Sequence, residues 1–198
     1  ATAFELMRAE GCDILASLTH GQRMQVRRTI LGMVLATDNA MHTEFLAKFN
    51  SKVDQDGLDL DEQDDQILTL QIALHAADVS NPAKPQSVYY QWKDRIMEEF
   101  YQQGDQEREL GMQVTPFLDR TKPIPEHKFQ SGFINGIVLP LYEAFSKVEG
   151  LNIDIVLQNL KANLRVFQNA SAADSTASIA SAASASSLPR PASAATAT

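Results

Sequence analysis

A single cysteine among 198 residues, Cys12, leaves no partner for a disulfide within the chain and no second thiolate for a cysteine-based zinc site. That usage fits an intracellular, cytoplasmic setting. No apolar run approaches the roughly 20 residues that span a bilayer, and the first residues carry no basic-then-apolar signal peptide. Basic charge is short as well: 17 Lys and Arg against 25 Asp and Glu give a net −8, so no basic stripe exists to neutralise a nucleic-acid polymer. A small nucleotide is still admissible, because a metal can meet its phosphate charge. The chain has no phosphate-binding Walker loop, no GxSxG elbow, no GxGxxG fingerprint and no zinc-finger spacing, which removes support for those enzyme classes. Hairpin signals are missing too.

What is present is helical. With 44% hydrophobic and 21% charged residues, the chain can build one core. Phe4, Leu6, Met7, Cys12, Ile14, Leu15 and Leu18 suggest a first helix weakened by Gly11. Thr19 with Gln22 has the form of a capping box opening a long helix that continues towards Phe45, Leu46 and Phe49. From Asn50 to Gln66 an Asp- and Gln-rich stretch around Gly57 reads as a solvated loop or short helix; Asp54, Asp56, Asp59 and Asp61 alternate but do not fit an EF-hand frame. Ile67 to Leu74 supplies an apolar face, Ser80-Asn81-Pro82 a turn, and Ser87 to Leu110 a long amphipathic helix. Pro123 and Pro125 precede a helix from about Glu126 that carries Phe129, Phe133, Ile137 and Leu141, and a last helix is expected over Asn152 to Gln168. Beyond Asn169 the Ala, Ser and Thr composition cannot build a core, so residues 170–198 are expected to form a disordered tail. The fold class is all-α.

Asp78 stands at a break between two helices, where a carboxylate is rigid and suits a hard cation or, equally, a cap on the following turn. Glu98, Glu99, Asp105, Glu107 and Glu109 lack the Glu-x-x-His pairs of a di-iron bundle and are expected to be surface charge.

Three blocks, ADVSNPAKP, QWKDRIMEEFYQQGDQERELGM and Gln130-Ser131-Gly132-Phe133-Ile134, together with VLATDNAMH from Val34 to His42, resemble the catalytic domain of class I 3′,5′-cyclic nucleotide phosphodiesterases. The resemblance covers roughly residues 5 to 169 and corresponds to the C-terminal half of that domain. It implies a compact multi-helix bundle of the phosphodiesterase type, incomplete at its N-terminal side, with residues 1–169 as the C-terminal part of the catalytic domain. The family's HNxxH segment and later HD pair have no counterpart among His20, His42, His75 and His127. The general acid histidine is therefore expected upstream, and the chain is expected to be a fragment, inactive by itself.

The implied reaction is hydrolysis of cAMP or cGMP to the 5′-monophosphate by a hydroxide activated between two divalent metals, Zn²⁺ and Mg²⁺ or Mn²⁺, most of whose ligands this chain lacks. By resemblance Asp78 is a metal ligand, and Asp38 and His75 lie just behind the metal and its waters. Asp38 and His42 would share a helical face, as would His75 and Asp78. Gln130, whose amide offers an acceptor and two donors, reads the purine edge, and Phe133 with Ile96 clamps the base; aromatic stacking on a base is worth about 1–3 kcal/mol. Tyr89 and Asn81 match pocket-lining positions and Phe117 a rim position, while Asn39 stands where the family often has Met. Core packing for Phe133, Ile96 and Trp92, and a turn role for Asn81, are the alternatives. A homodimer is compatible with the resemblance. The rival reading is a non-catalytic helical binding or dimerisation module derived from such an enzyme.

Overall fold

The computed structural model describes residues 2–55 and 57–186, with side chains described as far as Ala173. Among the described residues there is helix and no strand, as expected. The chain divides into two compact units, residues 1–80 with 140–153 and residues 81–139 with 154–198.

In the first unit, α1 (Thr2–Leu6) is followed by turns, α2 spans His20–Leu35, α3 His42–Gln55 and α4 Gln63–Asp78; α7 (Leu139–Phe145) lies in this unit from Pro140 onward. The helix expected through Leu18 stops at Leu6, and Gly11 adopts a left-handed φ of 74° that no continuing helix accommodates. The Thr19–Gln22 capping box forms in full. The long helix expected from there to Phe49 is broken in two. Asp38 is extended and its carboxylate accepts from Ala40 N–H at 2.9 Å, opening a 3₁₀ turn over Asn39–Met41. A short acidic side chain that bonds its own backbone competes with helix, and here it wins. Both α2 and α3 pack against α4, through buried Phe49, Leu68, Ile72 and Ala76. In the acidic stretch Asp59 N–H donates to Asp65 at 3.0 Å and Asp54 meets Lys147 at 2.8 Å; Asp56 lies outside the described residues.

The second unit opens with a 3₁₀ turn at Asn81–Ala83, then α5 (Gln86–Glu109), a 3₁₀ turn at Pro116–Leu118, α6 (Glu126–Phe133), a π-helical turn (Ile134–Val138) and α8 (Asp154–Ser186). The π turn interrupts what the sequence reads as one helix. Pro140 has no N–H for the carbonyl four residues back and its ring would crowd it, which a wider turn just before it relieves. The last helix does not end at Gln168. It runs to Ser186, the alanine-rich first part of the expected tail being compatible with helix; residues 187–198 lie outside the described residues. Leu160, Asn163, Leu164 and Phe167 form the buried face of α8, which packs on α6 and on the Asn81–Ala83 turn.

Candidate functional site

In the first unit, α4 continues through Asp78, so His75 lies one turn before it. Asp78 is exposed, and among the described residues its carboxylate makes no hydrogen bond or ion pair. As the last residue of α4 it adds to the partial negative charge of the helix C-terminus, an arrangement that a cation would offset. His75 is 1% exposed, and its Nε2 lies 2.9 Å from Nδ1 of buried His42, so the two rings share one hydrogen. Burial holds both histidines below the usual imidazole range; His75 further opposes a charge on His42, while Asp78 pulls His75 part of the way back up. Neutral His75 gives no compensating charge to the helix end. Asp38 and His42 do not share a helical face, because Asp38 caps the 3₁₀ turn that precedes α3. Among the described residues no three His, Cys, Asp or Glu side chains gather as a metal-binding group. One carboxylate does not make a metal site, so these residues by themselves do not hold the two metals that the resemblance implies.

In the second unit, two predicted residues meet directly. Tyr89, fully buried on α5, donates its hydroxyl to Oε1 of Gln130 on α6 at 2.8 Å. Burial, then the nearby Glu126 charge and Tyr90, push the phenol well above its ordinary range, so it stays protonated and remains a donor. With Oε1 accepting from Tyr89, the Nε2 hydrogens and one further lone pair of Oε1 are left for another partner. Gln130 is 5% exposed. Phe133, one turn further, is half-buried at the end of α6, and Ile96 is half-buried two turns along α5 from Tyr89. Asn81 opens the 3₁₀ turn, and its Oδ1 is buried without a hydrogen-bond partner. Phe117 lies between Phe100 and Phe129, with ring centroids 5.7 and 5.9 Å away.

Supports that the sequence reading passed over come mainly from α8. Buried Asn163 donates from Nδ2 to the carbonyls of Pro82 at 2.8 Å and Lys84 at 2.9 Å, tying the Asn81 turn to α8. Phe167 sets its ring edge-on to Tyr89 at 6.0 Å. A lone asparagine inside an apolar helical stripe was the available signal. The acidic residues of α5 do serve the surface: Glu98 and Asp105 bind Arg120, and Glu107 accepts from Thr115 N–H, fastening the segment after α5.

A family model described as 3'5'-cyclic nucleotide phosphodiesterase matches residues 1–160. The chain is 41% identical over 175 residues to "Probable 3',5'-cyclic-AMP phosphodiesterase pde-4" of Caenorhabditis elegans, covering 85% of this chain and 26% of that protein. It is 39% identical to "3',5'-cyclic-AMP phosphodiesterase 4C" of Mus musculus and to its counterpart in Rattus norvegicus, covering 25% and 32% of those proteins. A solved structure, "Structure of LmjPDEB1 in complex with IBMX", superposes with a TM-score of 0.79 at 27% identity, over 85% of this chain and 50% of that one. The chain thus spans about a quarter to a third of the length of the curated relatives it matches. Its helical fold, its motif blocks and these matches place it in one family: the chain belongs to the 3'5'-cyclic nucleotide phosphodiesterases.

Proposed function

We propose that this chain is the base-recognising part of a phosphodiesterase that hydrolyses the 3′,5′-cyclic phosphodiester of cAMP to 5′-AMP, acting in cytoplasmic cyclic nucleotide signalling. The observation that carries the reading is the buried Tyr89–Gln130 hydrogen bond. It holds one side of the amide and leaves an adjacent donor and acceptor, the pairing that the N6 amino group and a ring nitrogen of adenine require. Gln130 reads the base, Phe133 and Ile96 hold its faces, and the unpartnered Oδ1 of Asn81 is an acceptor for the nucleotide. The three curated relatives named above are called cyclic-AMP phosphodiesterases, which supports adenine over guanine.

Asp78 contributes one metal ligand, with His75 and Asp38 behind it. A divalent metal supplies charge neutralisation at the phosphoryl oxygens and an activated water. The other ligands and the acid that protonates the leaving 3′ oxygen belong to residues outside this set. What the described side chains do is bind and orient.

The test is hydrolysis of cAMP and cGMP by the native protein supplied with Zn²⁺ and Mg²⁺. Asp78→Ala is expected to abolish turnover, and Gln130→Ala to raise KM for cAMP. Nucleotide binding with no hydrolysis would replace this reading by that of a binding module.

A further inference from the structure

Among the described residues Lys93 is the one buried lysine, its side chain 7% exposed. Its ammonium contacts Asp94 on α5 at 2.7 Å and Glu126, in the first turn of α6, at 2.8 Å. Burial opposes its charge, but the hydrogen bonds to Asp94 and Glu126 outweigh that, so it stays protonated. A lysine is rarely taken out of water, and this one is placed where it joins two helices.

Its position has a geometric consequence. Lys93 follows Tyr89 by one turn of α5, and Glu126 precedes Gln130 by one turn of α6, so each pair shares a helix face. Tyr89 bonds Gln130 and Lys93 bonds Glu126, making two successive rungs between helices running in opposite directions. Pro125 at the N-cap of α6 makes no side-chain cap, so the Lys93–Glu126 contact adds a polar tie to the backbone bonds and to the Phe117–Phe129 stacking at this end of the helix. The Glu126 charge is also close enough to act on the Tyr89 hydroxyl. Without Lys93, Glu126, whose side chain is 57% exposed, would turn to water, and the first turn of α6 would lose its tie to α5.

We infer that Lys93, through Glu126, is a positioning residue that sets the rotation of α6 and thereby the direction in which the Gln130 amide faces the base. It touches no reacting atom; it acts by fixing the amide whose alignment separates adenine from guanine. The inference rests on the reading of Gln130 as the base-facing amide.

The experiment has two readouts on the full chain. In the nucleotide-free ¹⁵N-labelled protein, Lys93→Met and Glu126→Gln are each expected to displace the Gln130 side-chain amide resonances, with Lys93→Arg restoring them. In titrations with cAMP and with cGMP, Lys93→Met is expected to lower the ratio of the two affinities about three- to tenfold, the scale of one misaligned neutral hydrogen bond. A residue that only stabilises the fold would reduce both affinities alike and leave the ratio unchanged. Gln130 resonances that stay at their wild-type positions in Lys93→Met would overturn the role of Lys93. Wild-type affinities in Gln130→Ala would instead overturn the base-reading premise, while the Gln130 resonances of Lys93→Met would still report on the rung.

Discussion

Replacing Asn163 by Asp changes almost no volume and reverses the chemistry of a deeply buried polar group of α8. Asn163 is 2% exposed, and its amide nitrogen serves two carbonyl oxygens at 2.8 and 2.9 Å. A carboxylate there would face both oxygens with no hydrogen to offer. Burial and the two carbonyls raise its pKa, by about 3 units for a group so placed. The folded state would then hold a proton that the unfolded chain, with a carboxyl pKa near ~3.9, has released. Stability therefore falls as pH rises between those two values, at about 1.4 kcal/mol per unit. The protonated form keeps one O–H for one carbonyl, so the loss at low pH is about 1–2 kcal/mol. Between about pH 5 and about pH 7.5 the gap to wild type should widen by roughly 2.5 kcal/mol. Trp92, the only tryptophan, lies on α5 in the same unit, so its fluorescence during urea unfolding reads the right part of the chain. Asn163→Leu is the control, with a loss that does not depend on pH. A gap between Asn163→Asp and wild type that is equal at both pH values would refute the reasoning.

Two further outcomes follow from the packing. A Cβ at Gly104 would overlap the carbonyl oxygen of Leu118, so Gly104→Ala should destabilise by about 1–3 kcal/mol through overpacking, measured as a lowered urea midpoint at unchanged m; a wild-type midpoint would count against this close approach. Because His42 and His75 have lowered pKa values when folded, the unfolded chain takes up their protons first, and stability should be lost as pH falls from about 6.5. Circular dichroism of urea unfolding should show that slope in the wild type and a shallower one in His42→Asn, whereas parallel slopes would rule out the pair as its source.

Much of the helical framework was legible in the chain itself. The capping box at Thr19 and Gln22, the start of α6 at Glu126 and the 24-residue α5 all follow from side chains acting within a few positions of themselves. The breaks were harder. Apolar periodicity had carried helices through Gly11 and Asp38, where the backbone is no longer helical, because periodicity records which face is buried and not whether the backbone keeps turning. The π turn before Pro140 left the apolar spacing almost undisturbed, so nothing in the pattern marked it.

The candidate site divides in the same way. The motif blocks around Asp78, Asn81, Gln130 and Phe133 placed the chain in its family and named those residues, since each motif is a local run of sequence. Sequence alone left the Gln130 amide free to face either way, and nothing in it linked His42 to His75, 33 positions on, or Asn163 to the backbone of Pro82, 81 positions back. Those pairings were decided only when helices brought distant residues together, because a hydrogen bond needs its partner within about 3 Å and spacing along the chain does not supply that distance. The buried lysine is the clearest instance. In sequence Lys93 is one more charge on an amphipathic helix; folded, it is shut from water against the first turn of α6, one rung from the Tyr89–Gln130 bond.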